Sequence, residues 1–197
     1  MLLLERARSG TPLWDLPDEG EANRIVAALL QLLWRPAPLD SPHRSLATAA
    51  GEWAEEIPAS WEALGRPFER PLLDRALDAL VTLGPDQGEQ VVLHQDLHGG
   101  NVLRAERAEW LAIDPKPLIG EREFDLASLL RDRRDSLAGD PQPGRRMRRR
   151  LDQLASETGL DGERVRGWGI AHALAWGIDT REMDEMMVAC ARWLADA

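Results

Sequence analysis

Asp96, Asn101 and Asp114 stand in the order and at the spacing that moving a phosphoryl group requires. In that chemistry one carboxylate takes the proton of an attacking hydroxyl, while an amide oxygen and a second carboxylate hold the magnesium ions that neutralise the phosphates. The run His94-Gln95-Asp96-Leu97-His98-Gly99-Gly100-Asn101 carries the first two, and Ile113-Asp114-Pro115 carries the third. Two oxygen donors suit magnesium, which keeps several waters and needs only one or two protein ligands. His94, Asp96 and His98 are also of the donor types a zinc hydrolase uses, which leaves a second reading. The other His and Cys residues are His43, His172 and Cys190, none of them near that run in sequence.

Placing these groups in one cleft calls for strands that end where they begin. Val91 to Leu93 is an apolar, β-branched run that predicts a buried strand, and Gly99-Gly100 predicts a sharp reversal after it. Val102-Leu103 and Trp110 to Ile113 read as an antiparallel hairpin turning at Glu106 to Glu109, which brings Asn101 and Asp114 to the same end. Residues 91–116 are therefore the expected catalytic and metal-binding unit. Elsewhere the period is helical: from Asp18 to Trp34, from Leu46 to about Glu56 ahead of Pro58, and from Leu72 to Leu83. Four more helices are expected after the site, over Phe124 to about Arg133, Met147 to Glu157, Gly162 to Trp176 and Arg181 to Ala195. The basic run Arg145 to Arg150 reads as the start of an exposed helix. Trp53, Trp61, Trp168, Trp176 and Trp193 read as core anchors.

Composition narrows the class. At 197 residues with 44% hydrophobic content the chain can bury the core of a single domain, expected to span 1–197. It has no apolar run of about 20 residues to span a membrane, and Met1-Leu2-Leu3-Leu4 gives way at once to Glu5 and Arg6. One cysteine permits no internal disulfide, so a reducing cytoplasm is the expected compartment. A formal charge of −10 argues against a nucleic-acid partner and for a cationic small molecule. The oligomeric state is not legible.

The motifs from Leu93 to Leu130, including Ala112-Ile113-Asp114-Pro115-Lys116-Pro117 and Glu123-Phe124-Asp125-Leu126-Ala127, resemble the aminoglycoside phosphotransferase family and its streptomycin 6-kinase branch. The resemblance implies a fold that is mainly α with a small β-hairpin, the C-terminal (large) lobe of a protein-kinase-like fold. It implies ATP as co-substrate and Mg2+ as cofactor, with Asp96 as catalytic base and Asn101 and Asp114 as metal ligands. His94 and Asp125 would support the catalytic loop, although Asp125 reads equally well as an acid at a helix start. Residues 1–10 would be a hinge-like segment, with Leu4, Glu5 and Arg6 beside the nucleotide.

Such kinases also clamp the phosphates with a glycine-rich loop and a lysine from an amino-terminal lobe. Before position 51 the only glycines are Gly10 and Gly20, and the single lysine of the chain is Lys116, after the catalytic loop. That lobe is therefore expected to be absent, with the chain read as truncated. Carboxylates pair well with guanidinium groups, which makes Glu121, Glu123, Asp179 and Asp184 candidates for contacting a streptomycin-like substrate. Three readings follow: an antibiotic-inactivating phosphotransferase, a non-catalytic binding remnant of one, and a metal-dependent hydrolase.

Overall fold

The computed structural model describes residues 7–38 and 40–197, and the expected hinge residues Leu4, Glu5 and Arg6 lie outside the described residues. Helix α1 (Glu19–Leu33) begins where the Asp18 carboxylate accepts the Glu21 N–H, and it ends at Trp34, two residues ahead of Pro36. Both end signals act as read. Helix α2 (Leu46–Ala63) instead runs through Pro58. A proline inside a helix costs about 3 kcal/mol. The turns on either side of it bury Ile57 and Trp61, worth about 1.5–3 kcal/mol each. Trp61 Nε1 also donates to the Phe68 carbonyl at 3.0 Å, so packing outweighs the proline.

Helix α3 (Arg70–Leu83) follows, then strand β1 (Gln90–Leu93). The expected hairpin is β2 (Val102–Arg104) against β3 (Trp110–Ala112), with Val102 opposite Ala112. A second antiparallel pair was not legible: β1 is joined by β4 (Leu118–Glu121), with Leu93 opposite Leu118. All four residues of β4 are buried, so it lacks the alternation that betrays a half-exposed strand. The pairing ties together the two ends of segment 94–117, which carries Asp96, Asn101 and Asp114.

The segment 124–133 is not the single helix that its pattern predicts. It divides into α4 (Arg122–Asp125) and α5 (Ala127–Leu130), passes through a left-handed residue at Arg133 (φ 51°), and resumes as α6 (Arg134–Ala138). The break is held by polar groups. Arg150 of α7 (Pro143–Thr158) donates to the carbonyls of Leu130, at 2.8 Å, and Asp132, and its Nε meets Glu19 at 2.7 Å. The basic run is thus helical, but its last arginine is buried, and Arg146 also pairs with Glu19.

Helix α8 (Gly162–Gly177) is apolar on nearly every side and forms the centre, packed on α3, α4, α5 and the last helix, α9 (Glu185–Ala195). An added Cβ at Gly169 would lie 2.7 Å from Leu130 Cδ1, so this closeness depends on glycine. Trp53, Trp61 and Trp168 are core residues as expected, and Trp193 is half-buried. Trp176 is not an interior anchor: it is 36% exposed at the C-terminal end of α8. Among the described residues no helix is long and apolar enough to cross a membrane.

Candidate active site

The backbone that turns out of β1 is fixed by one carboxylate. Asp125, fully buried at the end of α4, accepts the N–H of His94 (3.0 Å), the N–H of Gln95 (2.6 Å) and Trp34 Nε1 (3.0 Å). Burial pushes its carboxyl above the usual range, and those donors pull in the opposite direction. Gln95 is left-handed (φ 68°), a conformation that costs free energy and is held here by the carboxylate on its N–H. His94 is buried, with Nε2 at 3.0 Å from the Ile113 carbonyl, so it joins the catalytic loop to the end of the hairpin. These contacts fasten the loop that follows β1 to α4, to Trp34 and to the end of the hairpin.

Asp96 follows, with only 7% of its surface exposed. One carboxylate oxygen meets Lys116 Nζ at 2.5 Å and the other lies 3.9 Å from Arg131. Lys116 Nζ and the Arg131 guanidinium also sit 5.1 and 5.0 Å from the centre of the Trp176 ring. Burial pulls the Arg131 pKa down. The motif reading missed both Arg131 and Trp176. Lys116 had one signal, as the only lysine in a chain whose other bases are arginine.

Asn101 closes the loop from inside: its Nδ2 donates to the Asp96 carbonyl at 2.9 Å, and its own carbonyl accepts the Ile113 N–H at 2.9 Å. That bond orients the amide and leaves Oδ1 as the atom that could hold a metal ion. Asp114 is exposed at the end of the hairpin in a left-handed conformation (φ 58°), with Pro115 next. Asp tolerates that region better than most residues, but a residue before proline usually avoids it, so the backbone here stores strain. The pair is a hard-oxygen donor set that fits magnesium. His98 Nδ1 accepts the Gly100 N–H, and the His94 ring faces a carbonyl. Among the described residues no three His, Cys, Asp or Glu side chains converge as a hydrolase metal site would require.

A cleft of about 520 Å³ opens beside Asp96, bounded by Trp14, His98, Ser128, Arg131 and Asp132 among others. Ser128 Oγ donates to the buried Leu97 carbonyl at 2.7 Å, and Asp132 accepts the Gly99 N–H at 2.8 Å, so α5 and the turn after it brace the same loop. Gly99-Gly100 form a 3-10 turn, and neither adopts a positive φ, which the expected sharp reversal would have used. An added Cβ would lie 2.5 Å (Gly99) or 2.7 Å (Gly100) from carbons of Trp14. They are glycines because an indole lies on them.

The four carboxylates read as substrate contacts fall into two pairs, Glu121 with Glu123 on either side of Arg122, and Asp179 with Asp184 in a second cleft beside Trp176. Glu121 is buried, accepting from Trp168 Nε1, Arg164 (2.7 Å) and the Gly88 N–H (3.1 Å), so it is committed to the fold. Glu123 is half-buried, and burial raises its pKa. Asp179 is exposed and accepts the N–H groups of Arg181 and Glu182, which lower its pKa. Asp184 caps α9 and pairs with Arg134 at 3.1 Å.

Known proteins resemble this chain in sequence and in fold. Residues 1–183 match the family described as aminoglycoside/hydroxyurea antibiotic resistance kinase. A streptomycin 6-kinase of Streptomyces glaucescens is 40% identical over 182 residues, covering 90% of this chain. The chain spans 58% of that relative's length. Two solved structures share the fold: the choline kinase LicA of Streptococcus pneumoniae (TM-score 0.61, 14% identity, 98% of this chain and 70% of that one), and the aminoglycoside phosphotransferase APH(4)-Ia, solved with ADP and hygromycin B (TM-score 0.55, 19% identity, 96% and 70%).

Proposed function

Because the chain belongs to the aminoglycoside/hydroxyurea antibiotic resistance kinase family, we propose that it carries the catalytic half of an enzyme that moves the γ-phosphoryl group of ATP to a hydroxyl of an aminoglycoside such as streptomycin. The observation that carries this reading is Asp96: a nearly buried carboxylate at the floor of an open cleft, on a loop fixed by Asp125. The acceptor hydroxyl would enter from the cleft. Asp96 takes its proton as the hydroxyl oxygen bonds to phosphorus and the bond from phosphorus to the ADP oxygen breaks. Lys116 and Arg131 bring positive charge to the place where phosphate charge would be carried.

ATP as co-substrate is supported by the nucleotide in the APH(4)-Ia structure. Asn101 and Asp114 would hold magnesium, which when bound neutralises phosphate charge. The described helices and the hairpin correspond to the large lobe of the kinase-like fold. The test is transfer of labelled phosphate from ATP to streptomycin by wild type and Asp96→Asn, each as these 197 residues and as any longer chain that contains them. Asp96→Asn should abolish transfer with an unchanged melting temperature; unchanged turnover would remove Asp96 from the chemistry.

A further inference from the structure

Trp14 is the part of the cleft that phosphoryl transfer does not explain. It is 47% exposed, yet it is held from several directions. Its Nε1 donates to Asp132, and its ring stacks on His98 with centroids 4.9 Å apart and planes 12° from parallel. The turn that carries it, Leu13–Asp15, is fastened by Arg133, whose guanidinium donates to the carbonyls of Leu13 (3.0 Å) and Leu16 (2.8 Å). On the other side Pro12 bridges to Leu103 of β2. Beneath the indole, Gly99 and Gly100 leave no room for a Cβ.

Packing on Gly99 and Gly100 accounts for one side of the indole, but the part that stays exposed beside the base adds nothing to the core. Such a surface is how a binding site presents a hydrophobic contact to a ligand. The rest of the cleft wall alternates in charge, Asp96, Asp132 and Asp135 against Arg131, Arg133 and Arg134. A wall balanced in this way selects neither a cation nor an anion. It offers donors and acceptors in turn, which suits hydroxyl groups, since each can both give and accept a hydrogen bond. A cleft of about 520 Å³ also far exceeds a molecule the size of urea.

We propose that Trp14 is the platform for a polyhydroxylated ring, and hence that the acceptor of this site is a sugar or cyclitol ring system rather than hydroxyurea. The apolar C–H face of the ring lies on the indole and its hydroxyls meet the charged wall, presenting one of them to Asp96. This deepens the reading of Asp96 as base and rests on it.

Equilibrium binding of streptomycin, hygromycin B and hydroxyurea, measured by calorimetry on wild type, Trp14→Phe and Trp14→Leu, tests the proposal. Wild type should bind streptomycin or hygromycin B in preference to hydroxyurea. Trp14→Leu should weaken that binding about tenfold, while Trp14→Phe, which keeps a ring, should restore most of it. Equal binding by the Leu variant overturns the proposal. So does a Phe variant as weak as Leu, which would assign the loss to the Asp132 bond. Hydroxyurea binding alone, or no binding of any probe by wild type, overturns it as well. Should the Leu variant not fold, the Phe variant and the wild-type preference still decide. Transfer that persists in Asp96→Asn would defeat the base reading separately, whatever Trp14 does.

Discussion

Replacing His172 with leucine should flatten the acid side of the stability profile. His172 lies on α8, fully buried, with Phe124 and Trp53 edge-on at 5.2 and 6.2 Å and Trp176 at 4.7 Å. Neither ring nitrogen has a hydrogen-bond partner among the described residues. Burial first, and then the charges of Arg131 and Lys116, hold its pKa well below the ordinary 6.5. The folded chain therefore keeps this ring neutral while the unfolded chain protonates it near the ordinary value. Below that pH the unfolded state binds more protons, so stability falls as pH falls, by about 1.4 kcal/mol per unit.

From pH 7.5 to pH 5 the loss from this one ring is about 2 kcal/mol. For a chain of this length that is roughly 4–8 °C in Tm. Burial also lowers the His98 pKa, so wild type has a second source of slope, and the difference between the two proteins isolates His172. Urea denaturation at pH 7.5, 6 and 5 would read it: the leucine protein should gain on wild type by about 2 kcal/mol across the series. Two profiles that stay parallel would mean that the ring finds a proton partner in solution, and would refute the reasoning.

Arg150→Met should cost about 3–5 kcal/mol, because it leaves the carbonyls of Leu130 and Asp132 and one oxygen of Glu19 without their buried donor. Burial pushes the Glu19 carboxyl up, but its bonds to Arg150 and Arg146 outweigh that and hold it low. Its share of stability is present above the unfolded value of 4.5 and lost as pH falls through the folded one, so the gap between wild type and variant should narrow in acid. A loss below about 1 kcal/mol in urea unfolding at pH 7 would place this arginine with ordinary surface pairs. Lys116→Met should keep the contact with Trp176 but lower the rate of transfer about a hundredfold, as removing one preorganised charge from a reacting site does. A kcat within twofold of wild type would take Lys116 out of the chemistry.

What the sequence revealed of the site was what lies on one continuous segment. Asp96, Asn101 and Asp114 are joined by local backbone and by a hairpin whose alternation and turn are local signals. Asp125 stood between two readings, because a buried brace and a helix-start acid look alike until the chain is folded. Arg131, Asp132 and Trp14 reach the cleft from distant segments, Trp176 reaches Lys116 and Arg131 from α8, and nothing in their immediate neighbours marks them. Their arrangement depends on the broken helix after α4, which an uninterrupted apolar pattern disguised. Glu121 misled for the opposite reason: a carboxylate next to a motif was read by type, while its strand is buried on both faces and pairs it with Trp168 and Arg164.

The antiparallel pairing of β1 with β4 also governs where this molecule can change length. Between Asp114 and Leu118 lie only Pro115, Lys116 and Pro117, so the chain crosses from the strained aspartate to a buried strand with no slack. One extra residue there would shift β4 by one position and reverse which side chains face β1's neighbours. Glu121 would be pulled from Arg164, and Lys116 from Asp96. The exposed turn at 105–109, at the far end of the hairpin, bears no such constraint. Insertions acquired in descent or placed by design should collect at that tip, while the tripeptide behind Asp114 keeps a fixed length even as its residues vary.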